Sequence, residues 1–201
     1  MNFLILSRFL RSTDHKIGAI SMTTTKTMLK VFVLTLSLCF SICASAAAWV
    51  GAPVPNISLS DQTGTVRQLT DFKGKWLVLY FYPKNHTSGC TEEAKRFKEN
   101  FAQFQKQNIQ IVGVSLDSVE SHKKFAQDLK LPFTLLSDSK KELSKQLGVL
   151  QGFGAFSFAS RETFLVDPQG TIVYHYDNVS PQTHATQILR DVAQLSAKNR
   201  Q

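Results

Sequence analysis

Residues 76–82, Trp-Leu-Val-Leu-Tyr-Phe-Tyr, form an unbroken apolar and aromatic run bounded by Gly74 and Pro83. A half-exposed strand alternates polar and apolar side chains, and this run does not. It reads as a strand buried on both faces of a sheet. The residues that follow supply part of the cover. Ala94, Phe97, Phe101 and Phe104 recur at helical spacing with Lys95, Lys98 and Glu99 between them, an amphipathic helix with a stripe toward the core. Between strand and helix lies a loop of turn formers, and where the helix begins stands a cysteine, Cys90.

The position of Cys90 implies chemistry. The first turn of a helix holds backbone N–H groups without partners and a partial positive charge, so it favours an anion. A thiol placed there ionises more readily. The helix end contributes on the order of 1 kcal/mol, less than one pKa unit. Full ionisation at neutral pH therefore calls for a cation from elsewhere in the fold. Glu92 and Glu93, in the same turn, oppose the thiolate and sharpen that need. A free cysteine is most often an inert buried side chain. The surrounding loop argues otherwise.

Pro83, Thr87 and Cys90 form a P-x-x-x-T-x-x-C pattern at the end of the buried strand. This resembles the active-site loop of the peroxiredoxins, and YFYPKNHTSGCTEEA is most similar to the Q-type, or bacterioferritin comigratory, group. A second segment, RETFLVDPQG from Arg161, matches that group's R-x-T-F-L-[IV]-D-x-x-G. The resemblance covers roughly residue 52 to the C-terminus. It implies that Cys90 is the peroxidatic nucleophile, that the Thr87 hydroxyl hydrogen-bonds the peroxide, that Pro83 shields the cysteine, and that Arg161 contacts the sulfur and the peroxide oxygen. It also implies a thioredoxin-like α/β fold, a central mixed sheet flanked by helices with an N-terminal β-hairpin, and no cofactor.

Departures from the group carry information too. Many members place a resolving cysteine five residues after the first, where this chain has Lys95, and residues 139–147, where others place it, hold none. Asn85, His86 and Ser88 replace commoner acidic and proline residues of the loop. The expectation is a one-cysteine peroxidase whose sulfenic acid is reduced by an outside thiol: a thioredoxin-like or glutaredoxin-like protein, or glutathione. A monomer or weak homodimer is expected.

The N-terminal part reads as a targeting segment. Lys26 and Lys30 precede or open the apolar stretch 29–48, which closes with Ala44-Ser45-Ala46-Ala47-Ala48, the form of a secretory signal peptide. Residues 29–50 are barely long enough to serve as a membrane anchor instead, and export with cleavage near Ala46 or Ala48 is the preferred reading. That places residues 49–201 as one exported domain, periplasmic in a Gram-negative cell. Neither Cys39 nor Cys43 follows a small residue as a lipoprotein signal needs, and both would leave with the signal. Residues 1–21 precede an already complete signal starting at Met22 or Met28, which points to an internal start or a long leader. Residues 1–48 hold five of the 23 basic residues and one of the 15 acidic ones, so half of the formal charge of +8 lies there and a mild +4 remains in the rest. No basic run with interleaved aromatics stands out, which argues against nucleic-acid binding.

The rest of the chain alternates strands and helices. Residues 57–60 and 65–69 flank Asp61-Gln62-Thr63-Gly64 as a hairpin. Residues 109–115 form a buried strand, and Asp117 with Glu120 looks like a capping box opening a helix through Leu129, with Val119, Phe125, Ala126 and Leu129 inward. A strand at 134–136, a helix at 140–147 ended by Gly148, a hairpin of 163–167 with 171–176, and a helix at 182–197 complete it. The phenylalanines of residues 151–160, QGFGAFSFAS, either line the active-site pocket or pack beneath the sheet. His86 is four residues from Cys90, which gives no assurance of a Cys–His pair. His122, His175 and His184 are too scattered for a metal site. Two functions stay in view, a thiol peroxidase and a non-enzymatic thioredoxin-fold binding or chaperone-like protein of the cell envelope. The complete set Pro83, Thr87, Cys90 and Arg161 favours the first, and S-G-C-T in place of C-x-x-C sets aside a disulfide oxidoreductase.

Overall fold

A computed structural model describes residues 49–198. The proposed signal stretch, with Cys39 and Cys43, lies outside the described residues. The strands are β1 (Ser58–Asp61), β2 (Val66–Gln68), β3 (Trp76–Phe81), β4 (Ile109–Ser115), β5 (Thr134–Ser137), β6 (Leu150–Gln151), β7 (Phe158–Ala159), β8 (Thr163–Val166) and β9 (Ile172–Tyr176). The α-helices are α1 (Ser88–Glu99), α2 (Phe101–Lys106), α3 (Val119–Leu129), α4 (Glu142–Gln146) and α5 (His184–Lys198).

Seven strands form one mixed sheet in the order β2-β1-β5-β4-β3-β8-β9. β3, β4 and β5 run parallel, and β8 lies antiparallel to β3. This is the expected thioredoxin-like architecture, with β1 and β2 as the N-terminal hairpin. The apolar run of β3 is buried along its whole length. Its period of two explains why both faces need cover. Trp76, Val78, Tyr80 and Tyr82 pack with Phe97, Phe104, Phe125 and Ile188 of the helices on one face. Leu77, Leu79 and Phe81 pack with Leu69, Leu143 and Leu147 on the other. Both cores draw on residues between Trp49 and Leu195.

Close packing over β3 demands a glycine next door. A Cβ on Gly113, the partner of Tyr80 across β3 and β4, would lie 2.7 Å from the Tyr80 ring and 2.8 Å from Leu135. Tyr80 fills that space, with its ring 4.8 Å from that of Phe97.

Four local expectations are corrected. The helix after Cys90 is not continuous through Phe104: it breaks at Asn100, whose side-chain amide donates to the Arg96 carbonyl at 2.8 Å and so competes with the helical bond. The N-cap of α3 is Ser118, whose hydroxyl accepts from the Ser121 N–H, and not Asp117. Val119 is only half-buried, while His122 is buried on the inward face beside Phe125 and Ala126. The phenylalanines of residues 153–158 neither line a pocket nor pack under the sheet. Phe153 and Phe156 stand in solvent.

Candidate active site

The site forms at the carboxyl end of β3, where the chain leaves the sheet and enters α1. Pro83, half-buried, ends the strand because it cannot donate to the ladder. Asn85 then ties the loop down from three sides. Its N–H donates to Asp117 Oδ2 at 2.8 Å, its amide nitrogen to Ser121 Oγ at 2.8 Å, and its amide oxygen accepts from the Tyr82 hydroxyl at 2.8 Å. Asp117 therefore serves the loop rather than the helix behind it, and it also accepts from Ser115 Oγ at 2.8 Å. The loop cannot shift without breaking bonds to the β4–α3 connection and to α3 together.

Thr87 is the N-cap of α1 by backbone position. Its hydroxyl donates to the Lys84 carbonyl at 3.0 Å, which commits the hydroxyl proton and leaves the oxygen free to accept. The first turn closes with Thr91 N–H on the Thr87 carbonyl at 2.9 Å. The N–H groups of Ser88, Gly89 and Cys90 precede it at the positive end of a 12-residue helix.

Cys90 is 2% exposed and faces the core side of α1 with Ala94 and Phe97. Arg161, at the mouth of β8, reaches across the strands and places Nη2 at 3.3 Å from the Cys90 sulfur. Gly89 makes room for it, since a Cβ there would lie 3.1 Å from Arg161 Nη2. This is the cation that the helix end lacked. Of the four residues singled out in the sequence, Cys90 and Arg161 are in direct contact. Pro83 and Thr87 occupy the loop that leads into the same helix.

Glu93 was missed as a positive feature. Of the two acids after Cys90, Glu92 turns outward and pairs with Arg96 at 2.8 Å. Glu93 turns inward, is buried, and bonds Arg161 Nη1 through Oε2. The signal was available: Cys90, Glu93, Ala94 and Phe97 stand at i, i+3, i+4 and i+7, so an acid lies on the apolar stripe and must find a partner there. Arg161 is thus held between a sulfur and a carboxylate. Burial works against its charge, and Glu93 and Cys90 more than offset this, holding the guanidinium above its ordinary value. Burial pushes the Glu93 carboxyl up to about 7, against the pull of Arg161.

A measurable consequence follows for stability. An acid whose folded pKa is raised from 4.5 to about 7 stabilises the fold fully below pH 4.5 and loses that contribution as pH rises through 7. Glu93→Gln keeps an acceptor for Arg161 without the titration. Urea unfolding between pH 4.5 and 8 should show the parent losing on the order of 2–3 kcal/mol relative to the variant. Equal pH slopes in the two proteins would contradict this account.

The histidines take other roles. His86, in a left-handed backbone conformation, lies over Phe125 and bonds Asp128 at 3.1 Å, away from Cys90. His122 is bonded to Ser115 at 2.9 Å and His184 to Thr163 at 2.8 Å, both fully buried and pushed down to about 4 by burial. They are neutral core residues at any ordinary pH. His175 pairs with Glu162 at 2.7 Å.

A model of the AhpC/TSA family matches residues 50–175. Chloroplastic peroxiredoxin Q of Triticum aestivum is 39% identical over 147 residues, covering 72% of this chain and 67% of that protein. Peroxiredoxin Bcp of Bacillus subtilis is 36% identical over 153 residues, covering 74% of this chain and 98% of its own. Among solved structures, a cysteine-to-serine variant of Xylella fastidiosa PrxQ superposes with a TM-score of 0.68 at 32% identity, over 73% of this chain and 96% of its own. The bacterioferritin comigratory protein of Xanthomonas campestris, studied for alkyl peroxide reduction, gives a TM-score of 0.65 at 34% identity, over 69% and 90%.

Proposed function

Because the chain belongs to the AhpC/TSA family and, within it, to the thiol peroxidases of the peroxiredoxin Q/Bcp kind, we propose that it reduces peroxides through Cys90 alone. The observation that carries this reading is the 3.3 Å contact between the Arg161 guanidinium and the Cys90 sulfur. A cation and a helix N-terminus converge on one thiol, and both favour its ionised form.

The thiolate attacks one oxygen of the peroxide. An S–O bond forms as the O–O bond breaks, the sulfur becomes a sulfenic acid, and the leaving oxygen takes a proton and departs as water or an alcohol. Arg161 steadies the negative charge as it passes from sulfur to oxygen. Thr87, with its own proton on Lys84, accepts from the peroxide O–H and orients it. Pro83 restricts water at the edge of the site. The alkyl peroxide activity of the Xanthomonas campestris relative supports organic hydroperoxides as substrates beside hydrogen peroxide.

Regeneration uses an external thiol. Cys90 is the free cysteine of the described residues, and Lys95 is exposed on the outer face of α1. Cleavage near Ala46 or Ala48 removes the signal on export, leaving an N-terminus between Ala46 and Trp49.

Intact-mass spectrometry of the exported protein tests both points. One equivalent of peroxide should add one oxygen at Cys90, or an adduct with an added thiol, and excess peroxide a second oxygen. An intrachain disulfide would sink the one-cysteine cycle and show that Cys39 or Cys43 survives processing. Residues 29–40 found still attached would mean an anchor.

A further inference from the structure

Three of the exposed large apolar side chains among the described residues fall in one short loop that the site above does not use. Phe153 is 90% exposed, Phe156 87% and Phe158 42%. Each stands to gain about 1.5–3 kcal/mol on full burial, so three together in one short segment are costly unless something covers them.

Their exposure is built into the backbone. β6 and β7 pair at the base of the loop. Phe156 N–H bonds the Phe153 carbonyl at 3.0 Å, and both Ser157 Oγ, at 2.9 Å, and Lys141 Nζ, at 2.8 Å, donate to the Gly154 carbonyl. Gly152 has φ 76°, and a Cβ there would run into the Phe156 carbonyl. A loop held by these bonds presents its rings to solvent in a set place.

That place adjoins the site. β8 is antiparallel to β3, so the segment entering β8 lies at the same end of the sheet as the segment leaving β3 toward Cys90. Phe158 is three residues before Arg161, within about 11 Å along a fully extended chain, and Arg161 touches the Cys90 sulfur. A standard protein interface covers about 800 Å² on each partner, roughly 30 Å across. A patch of that size on the Arg161 side of the site has room for Phe158, from which the β6–β7 hairpin continues to Phe156 and Phe153.

We propose that residues 153–158 form the docking surface for a protein reductant, one that carries an exposed dithiol within an apolar surface. This rests on the one-cysteine peroxidase reading. That cycle itself requires a second molecule to bring a thiol to Cys90, and aromatic anchors beside the reacting centre are what a transient protein partner grips. In the reaction, a thiolate of the partner attacks the Cys90 sulfur. A disulfide forms between the two proteins, the S–O bond breaks, and the oxygen leaves as water with two protons. The partner's second thiolate then attacks its own first sulfur, releases the Cys90 thiolate, and leaves the partner oxidised to a disulfide.

The test compares two reductants on the exported protein, a thioredoxin and dithiothreitol. Phe153→Ser/Phe156→Ser should raise KM for thioredoxin at least tenfold. Turnover with dithiothreitol and the rate of the peroxide step should stay within twofold of the parent, which also shows that the variant is folded. An unchanged thioredoxin KM overturns the docking surface, and so does a parent that turns over with dithiothreitol but not with thioredoxin. Loss of self-association in sedimentation, or of binding to anionic lipid vesicles, with thioredoxin KM unchanged, assigns the loop to those contacts instead. A parent that consumes no peroxide with either reductant removes the peroxidase reading itself.

Discussion

Cys90→Ser is expected to abolish peroxide reduction, with turnover below detection and in any case under a tenth of the parent rate. The hydroxyl of serine carries no negative charge at neutral pH and is a far weaker nucleophile than a thiolate. The surroundings that favour the thiolate, Arg161 at 3.3 Å and the first turn of α1, cannot bring an alcohol into the same range. The fold should survive. The swap is nearly isosteric, Arg161 can donate to the new oxygen, and the buried site next to Ala94 and Phe97 loses no volume that would leave a cavity. A stability change of about 1 kcal/mol or less is expected. Stopped-flow peroxide consumption with one reductant for both proteins, beside their unfolding curves, decides it. Residual activity above a tenth would mean that the oxidisable group lies elsewhere.

Arg161→Met is expected to slow the peroxide step on the order of a hundredfold, about 2.7 kcal/mol of transition-state stabilisation. Two losses add. The guanidinium no longer favours the thiolate before reaction, and its planar fork no longer follows charge onto the attacked oxygen. Arg161→Lys separates these. The charge stays but the two-pronged geometry goes, so thiolate absorbance at neutral pH should hold while the rate falls at least tenfold. Methionine should reduce both. A complication is Glu93, which Arg161→Met would strand without its partner: a buried carboxyl that loses its cation must take up a proton or destabilise the fold. The double variant Arg161→Met/Glu93→Gln removes that penalty and should fold as the parent does while remaining slow. If it keeps the parent rate and absorbance, Arg161 serves only the fold and another group acts on Cys90.

Several features of this protein were legible in the order of residues alone. The run 76–82 reads as a doubly buried strand rather than a half-exposed one, because its composition leaves no polar face, and β3 is buried throughout. Cys90 at the start of a helix follows from the loop before it and the apolar stripe after it. Both are local readings, decided by spacings of two and of three to four residues. Other features depended on chains meeting in space. Arg161 is 71 positions from Cys90, and only the pairing of β8 against β3 turns that separation into a contact. The same pairing turned Glu93 from an opponent of the thiolate into the partner of its cation. Asp117 read locally as a helix cap. Its carboxylate went to Asn85, 32 residues earlier, because the loop N–H had no other acceptor in a buried place. Phe153 and Phe156 show the limit most plainly. Hydrophobicity predicts that a phenylalanine is buried, but a loop closed by its own hydrogen bonds and by Lys141 can hold one in water. Spacing along the chain settles which side chains share a face of one element. Which faces meet is settled by the sheet order, and the chemistry at Cys90 lies where they do.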